Sequence, residues 1–108
     1  MKMVKIVTYV PLISSDKVRM AMGDAGAGKL GKYSHASFSG RGTGRFIPEE
    51  GAHPAVGQVG KLVEVEEEKI EVICIKEKVK DIVKVIKQTH PYEEIPIEIH
   101  PILTGKDF

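Results

Sequence analysis

Met3-Val4-Lys5-Ile6-Val7-Thr8-Tyr9-Val10-Pro11 decides the fold. Val4, Ile6, Thr8 and Val10 share one parity, and Val7 and Tyr9 occupy the other. Side chains alternate across a strand, so apolar residues on both parities predict a central strand covered on both faces. Pro11 ends it. The side-chain oxygens of Ser14-Ser15-Asp16 then offer caps for a helix beginning near Asp16. Val18, Ala21, Met22 and Ala25 recur at spacings of three and four, the period of one helical face. Gly26 stops that helix.

A matching half lies at the other end of the chain. Val63 and Val65 are odd-numbered, whereas Ile70, Val72 and Cys74 are even, so the buried set changes parity within one extended segment. A bulge or bend near Glu66 to Glu68 is the expected resolution. A second helix over about Lys76 to Thr89 turns Val79, Ile82, Val83 and Ile86 inward and puts Lys76, Lys80, Lys84 and Lys87 on another face. Ile95, Ile97 and Ile99 alternate with polar partners, and Pro96 and Pro101 push this last strand to an edge or a bulged pairing.

Ten of the eleven glycines lie between Gly23 and Gly60. Within that stretch Tyr33 to Phe46 reads as one long, bent second strand, and Pro48 to Gly60 as a loop. The order is therefore β-α-β-β-α-β. It predicts an α+β ferredoxin-like sandwich, one domain over residues 1–108, with two helices on one face of an antiparallel sheet. The other face carries Val7, Tyr9, Ile73 and Ile75, whose burial calls for further copies of the chain.

With 108 residues, 42% hydrophobic and 29% charged, the chain is long enough for one core and too apolar for a disordered tail. Sixteen basic and fifteen acidic side chains nearly cancel. No global field then favours nucleic acid or an anionic membrane. The lone Cys74 excludes an intrachain disulfide, and a reducing cytoplasm is the expected location. No apolar run approaches the length of a membrane span.

Gly26-Ala27-Gly28-Lys29-Leu30-Gly31 spells a dinucleotide fingerprint, but a helix precedes it and a strand follows, the reverse of the order that sets phosphate on a helix N-terminus. A helix cap and a tight turn explain it better. In Gly40-Arg41-Gly42-Thr43-Gly44-Arg45 freed backbone N–H groups and two guanidiniums can hold an anion. A solvated extension or a subunit contact accounts for the same residues. His35, His53, His90 and His100, with Cys74 and Glu93 or Glu94, supply metal-ligand chemistry without a recognised spacing. His90 at the end of the second helix reads as an imidazolium cap. The Glu64, Glu66, Glu67, Glu68 run and the lysine face read as solvated surface.

Gly31-Lys-Tyr33-Ser34-His35-Ala-Ser37-Phe38, Gly42-Thr-Gly44-Arg-Phe46-Ile-Pro48, Gly51-Ala-His-Pro54, Gly57-Gln-Val-Gly60 and His90-Pro-Tyr-Glu-Glu94 together resemble the domain inserted in NIF-three-like, or type-2 GTP cyclohydrolase-like, proteins. The resemblance spans nearly the whole chain. It implies a stand-alone version of a domain similar to CutA and PII proteins, which form trimers through their sheets; CutA shares a His-Pro-Tyr-Glu stretch at His90 to Glu93. In the full-length family a metal pair is held by histidines and acids flanking the insert, so hydrolase or cyclohydrolase activity does not carry over.

The expectation is a cytoplasmic homo-oligomer, trimeric by the resemblance, acting as a binding or regulatory module without catalysis of its own. Its ligand would be a small anion or a divalent metal, with no metal ligands assigned. The residues placed nearest the pocket are His35, Arg41, Arg45, His90, Tyr92 and Glu93. An enzyme or enzyme subunit, and a purely architectural oligomerisation domain, are the alternatives.

Overall fold

The computed structural model describes residues 2–108. Strands β1 (Met3–Pro11), β2 (Phe38–Phe46), β3 (Val63–Ile75) and β4 (Ile97–Ile102) form one sheet in the order β2-β3-β1-β4. Every neighbouring pair is antiparallel. Helices α1 (Leu12–Asp24) and α2 (Val79–Thr89) complete the ferredoxin-like α+β order, and a single 3-10 turn at Lys76–Lys78 leads into α2. No helix among the described residues is long and apolar enough to cross a membrane.

The core lies between sheet and helices. Val4, Ile6 and Val10 of β1 and Ile70, Val72 and Cys74 of β3 pack with Val18 and Met22 of α1 and Ile82 and Ile86 of α2. Each such side chain contributes about 1.5–3 kcal/mol on burial. Thr8 lies among them fully buried, and its hydroxyl donates to the Pro96 carbonyl at 2.8 Å. That bond removes the cost of a dry hydroxyl and ties the connector before β4 to β1.

Three local expectations are corrected. The helix α1 begins at Leu12, directly after Pro11, and no side chain caps it; Ser15 instead donates its hydroxyl to the Leu12 carbonyl at 2.9 Å. Proline's fixed φ suffices to turn the chain into the helix there, at φ −53°. The second strand starts only at Phe38, because Leu30 and Tyr33 pair across a tight turn and His35 adopts φ 62°.

The third correction concerns β3, which has no bulge. Its pairing with β2 runs one-to-one from Phe38↔Glu71 to Phe46↔Val63, and with β1 from Met3↔Ile75 to Pro11↔Glu67. What changes along β3 is the covering layer. Val63–Glu66 lie past the end of β1 and pair only with β2. There the odd face is roofed by the loop over residues 47–62, where Gly57, at φ 91°, approaches Val63 so closely that a Cβ would lie 2.2 Å from its Cγ2. Val63 is buried although Ile70 faces the opposite way.

β4 pairs only with β1, which makes it an edge strand as Pro96 and Pro101 require. On the sheet face away from the helices Val7 is buried, whereas Ile73 and Phe38 are exposed. β2 forms the opposite edge of the sheet.

Candidate functional site

Past Thr89 the chain cannot continue as helix, because Pro91 lacks the N–H and disfavours a helical residue before it. His90 closes α2 with its backbone N–H on the Ile86 carbonyl at 2.9 Å. Its buried ring is fixed at both nitrogens. The Tyr92 backbone N–H donates to Nδ1 at 3.1 Å, so Nδ1 is the acceptor, and Nε2 donates to the Tyr9 carbonyl at 2.7 Å. Only the neutral imidazole does both. Burial also pushes the His90 pKa down, against the smaller opposing pull of the Tyr9 carbonyl and Glu67. The expected imidazolium cap is thus corrected: His90 is a neutral strut that presents Tyr92, with no lone pair left for a metal.

Tyr92 stands edge-on to Phe46 with ring centroids 6.0 Å apart, and its hydroxyl donates to Glu67 Oε2 at 2.7 Å. Burial first, then that hydrogen bond and the carboxylate charge, push the phenol pKa up, so Tyr92 stays a donor. The Glu67 carboxylate rests over Gly44, where a Cβ would lie 2.1 Å from Oε1. Any side chain at Gly44 would displace it. Glu68, one residue on, faces the other side of the strand and bonds Arg19 Nη1 at 2.5 Å; Arg19 also pairs with Asp16. The reading of the glutamate run as solvated is corrected here, since Glu67 and Glu68 are each only 9% exposed.

Between these parts lies a cleft of about 1120 Å³. Its floor is the bare face of β2, because Gly40, Gly42 and Gly44 alternate along one side of the strand. None of the three has positive φ, so the anticipated backbone nest does not form; a regular strand stripped of side chains replaces it. Phe46, Tyr92, Ile95, Pro48, Pro54 and Val56 make apolar walls. Glu67, Lys69 and Tyr9 face in from β3 and β1.

Of the residues expected near a pocket, Arg41, Arg45, Tyr92 and Glu93 border this cleft. Arg45 Nε is engaged by Glu64 at 3.0 Å. Glu93 straps the loop to the connector by accepting the His53 backbone N–H at 2.8 and 3.3 Å. Among the described residues Lys69 makes no ion pair, which leaves one free cation beside the glycine floor; Arg41 is unpaired too, but opposite Glu68 in the ladder it projects, like Arg45, from the other face of the strand, so the expected pair of guanidiniums does not converge on the floor.

His35 is placed elsewhere. Its ring lies between Asp24 Oδ1 at 2.8 Å and Ser34 Oγ at 2.9 Å, packed where a Cβ on Gly23 would lie 2.0 Å away. The loop carrying it is anchored by the Gly28 N–H on the Ile73 carbonyl, at the far end of β3 from Glu67. His35 does not border the cleft.

Metal ligation finds no converging set: among the described residues no three His, Cys, Asp or Glu side chains come together. His100 instead pairs with Glu98 at 2.9 Å, and Glu98 also accepts the Tyr9 hydroxyl at 3.1 Å. These hydrogen bonds lower the Glu98 pKa, His100's first, while the bond to Glu98 raises that of Tyr9. Cys74 is buried, and desolvation pushes its thiol pKa up.

Glu67, Lys69 and Tyr9 escaped the sequence reading. The signal available was the Gly-X-Gly-X-Gly alternation, which leaves one strand face bare and so exposes whatever its neighbour strand presents there.

No family model matches the chain. It is 42% identical over 98 residues to the GTP cyclohydrolase 1 type 2 homolog of Bacillus subtilis (strain 168), covering 91% of this chain and 26% of that protein. A Bacillus cereus protein related to NIF3 superposes with a TM-score of 0.83 at 41% identity, over 95% of this chain and 26% of that one. The periplasmic divalent cation tolerance protein CutA from Archaeoglobus fulgidus superposes with a TM-score of 0.68 at 17% identity, over 95% and 86%. The chain is thus similar to one segment of NIF-three-like proteins, about a quarter of their length, and has the fold of CutA.

Proposed function

We propose, for a chain similar in sequence to a segment of NIF-three-like proteins and in fold to CutA, that it is a homo-oligomeric binding or regulatory module of CutA/PII type, without catalysis of its own. Its ligand is a small molecule with an anionic group, held in the cleft between β2 and the His90–Pro96 connector. One observation carries this reading: a glycine-floored cleft of about 1120 Å³ with the unpaired cation Lys69 on the same face of the sheet. A flat, bare strand lets a ligand lie against backbone, and the Lys69 ammonium is a compact charge for an anionic group. The commitment of both His90 nitrogens to the scaffold supports binding over acid-base chemistry.

Sister copies, three by the resemblance to CutA, cover Phe38 and Ile73 on the open sheet face. Light scattering at micromolar concentration is expected to give a trimer; a monodisperse monomer defeats this part.

For the ligand, thermal shift with pyrophosphate, nucleoside triphosphates and divalent ions is the direct measurement. Saturation a hundredfold above Kd stabilises by about 2.7 kcal/mol. The response to pyrophosphate should fall in Lys69→Ala. Silence towards every anion overturns the reading and leaves an architectural oligomerisation domain. The 42% identity to a GTP cyclohydrolase 1 type 2 homolog favours one second reading, in which the same module serves as the regulatory part of an enzyme assembly.

A further inference from the structure

Glu67 is the feature of the cleft that an anion site does not explain. The residue is only 9% exposed on the cleft wall, an expensive place for a carboxylate. A carboxylate has about four lone-pair positions to fill. Oε2 receives the Tyr92 hydroxyl, but no donor among the described residues reaches Oε1. Oε1 is also not sealed away from solvent. Gly44 keeps it in place by having no Cβ, and Phe46 braces Tyr92 from the side. The arrangement is a held acceptor with one oxygen spoken for and one facing the cleft.

Lys69 lies two residues further along the same strand face, about 7 Å away at the Cα atoms for an extended chain. Cation and acceptor thus stand side by side above the glycine floor. We infer that the ligand of this cleft is zwitterionic: its anionic group meets Lys69, and an N–H-bearing cationic group, a primary ammonium or a guanidinium, donates to Glu67 Oε1. An N–H donor fits better than a bare metal ion, because among the described residues no second and third ligand side chain converges on Glu67. This inference rests on the anion-binding reading and adds the other pole of the ligand.

Three small probes separate the contributions: phosphoethanolamine carries phosphate and N–H donors, phosphocholine carries phosphate and a cation without N–H, and ethyl phosphate carries phosphate alone. Titration calorimetry on the whole chain is expected to show phosphoethanolamine binding about tenfold or more tighter than ethyl phosphate, as a charge-assisted hydrogen bond implies. Glu67→Gln should erase that preference while keeping the weaker affinity for ethyl phosphate. Glu67→Met, with circular dichroism to verify folding, provides the same comparison without a polar group.

Equal affinity for phosphoethanolamine and ethyl phosphate overturns the zwitterion and leaves the anion site standing. Phosphocholine as tight as phosphoethanolamine overturns the N–H donor. Saturable manganese binding that is lost in Glu67→Gln assigns the carboxylate to a metal and overturns the inference. If none of the three, nor pyrophosphate, binds, the anion reading falls as well.

Discussion

The two halves of β3 solve opposite problems with one unbroken strand. From Lys69 to Ile75 the even residues Ile70, Val72 and Cys74 lie under the helices, and the strand is ordinary core. From Val63 to Glu68 the burial turns to polar partners and to a loop: Glu67 meets Tyr92, Glu68 meets Arg19, and Val63 lies under Gly57. The first kind of burial is non-directional and holds the fold together. The second is largely directional, and at Glu67 and Tyr92 it shapes the cleft. Stability and the proposed binding thereby fall to different parts of the same element.

Substitution in the core half should have the largest effect. Ile70→Ala removes a fully buried side chain from the sheet centre and is expected to destabilise by about 2–5 kcal/mol, read as a fall in urea midpoint. The contrast between the halves breaks if Ile70→Ala costs less than about 1 kcal/mol, for then the helix-covered face is not what holds β3.

A smaller, pH-dependent effect tests the connector side. The folded His90 pKa lies below its ordinary value, so between those two values the unfolded chain binds more protons. The stabilisation from burying the neutral ring is complete above the unfolded pKa of about 6.5 and is lost as pH falls through it towards the folded value. The melting temperature of the wild type should therefore drop relative to His90→Gln as pH is lowered from about 7 to 5. Parallel curves for the two proteins would mean that the ring is not held neutral, and the connector would lose its strut.

How legible these halves were differs for a physical reason. Periodicity carries burial against a helix layer, so Ile70, Val72 and Cys74, and the inward residues Ile82 and Ile86 of α2, could be read directly. The parity switch at Val65 to Ile70 was equally visible, but alternation alone does not distinguish a strand that bulges from a strand whose cover changes sides. Glu67 and Glu68 were hidden in a run of acids because their partners are 25 and 49 positions away in sequence. Nothing local marks a carboxylate that will be met by a phenol from another segment. Of the His90–Glu94 cluster, placed as a whole nearest the pocket by the sequence, Tyr92 and Glu93 border the cleft while His90 supports them from behind. His35 shared a motif with residues of β2, and the turn at Leu30–Tyr33 leaves it at the other end of the sheet.

The smallest expected effect sharpens the contrast within the polar half itself. Arg45 and Glu64 form an ion pair at 3.0 Å, but their side chains are 60% and 57% exposed, whereas Glu67 is nearly covered. Water already solvates both charges, and holding two long side chains in one geometry costs about as much entropy as the screened attraction returns. Arg45→Ala should then change stability by no more than about 0.5 kcal/mol, with that change shrinking further in 1 M salt. Chemical denaturation at low and high salt measures it. A loss above about 1 kcal/mol that persists in salt would show that the exposed acids of β3 are structural in the same sense as Glu67. The directional burial of that half would then extend along the whole projecting ladder instead of being confined to the residues that build the cleft.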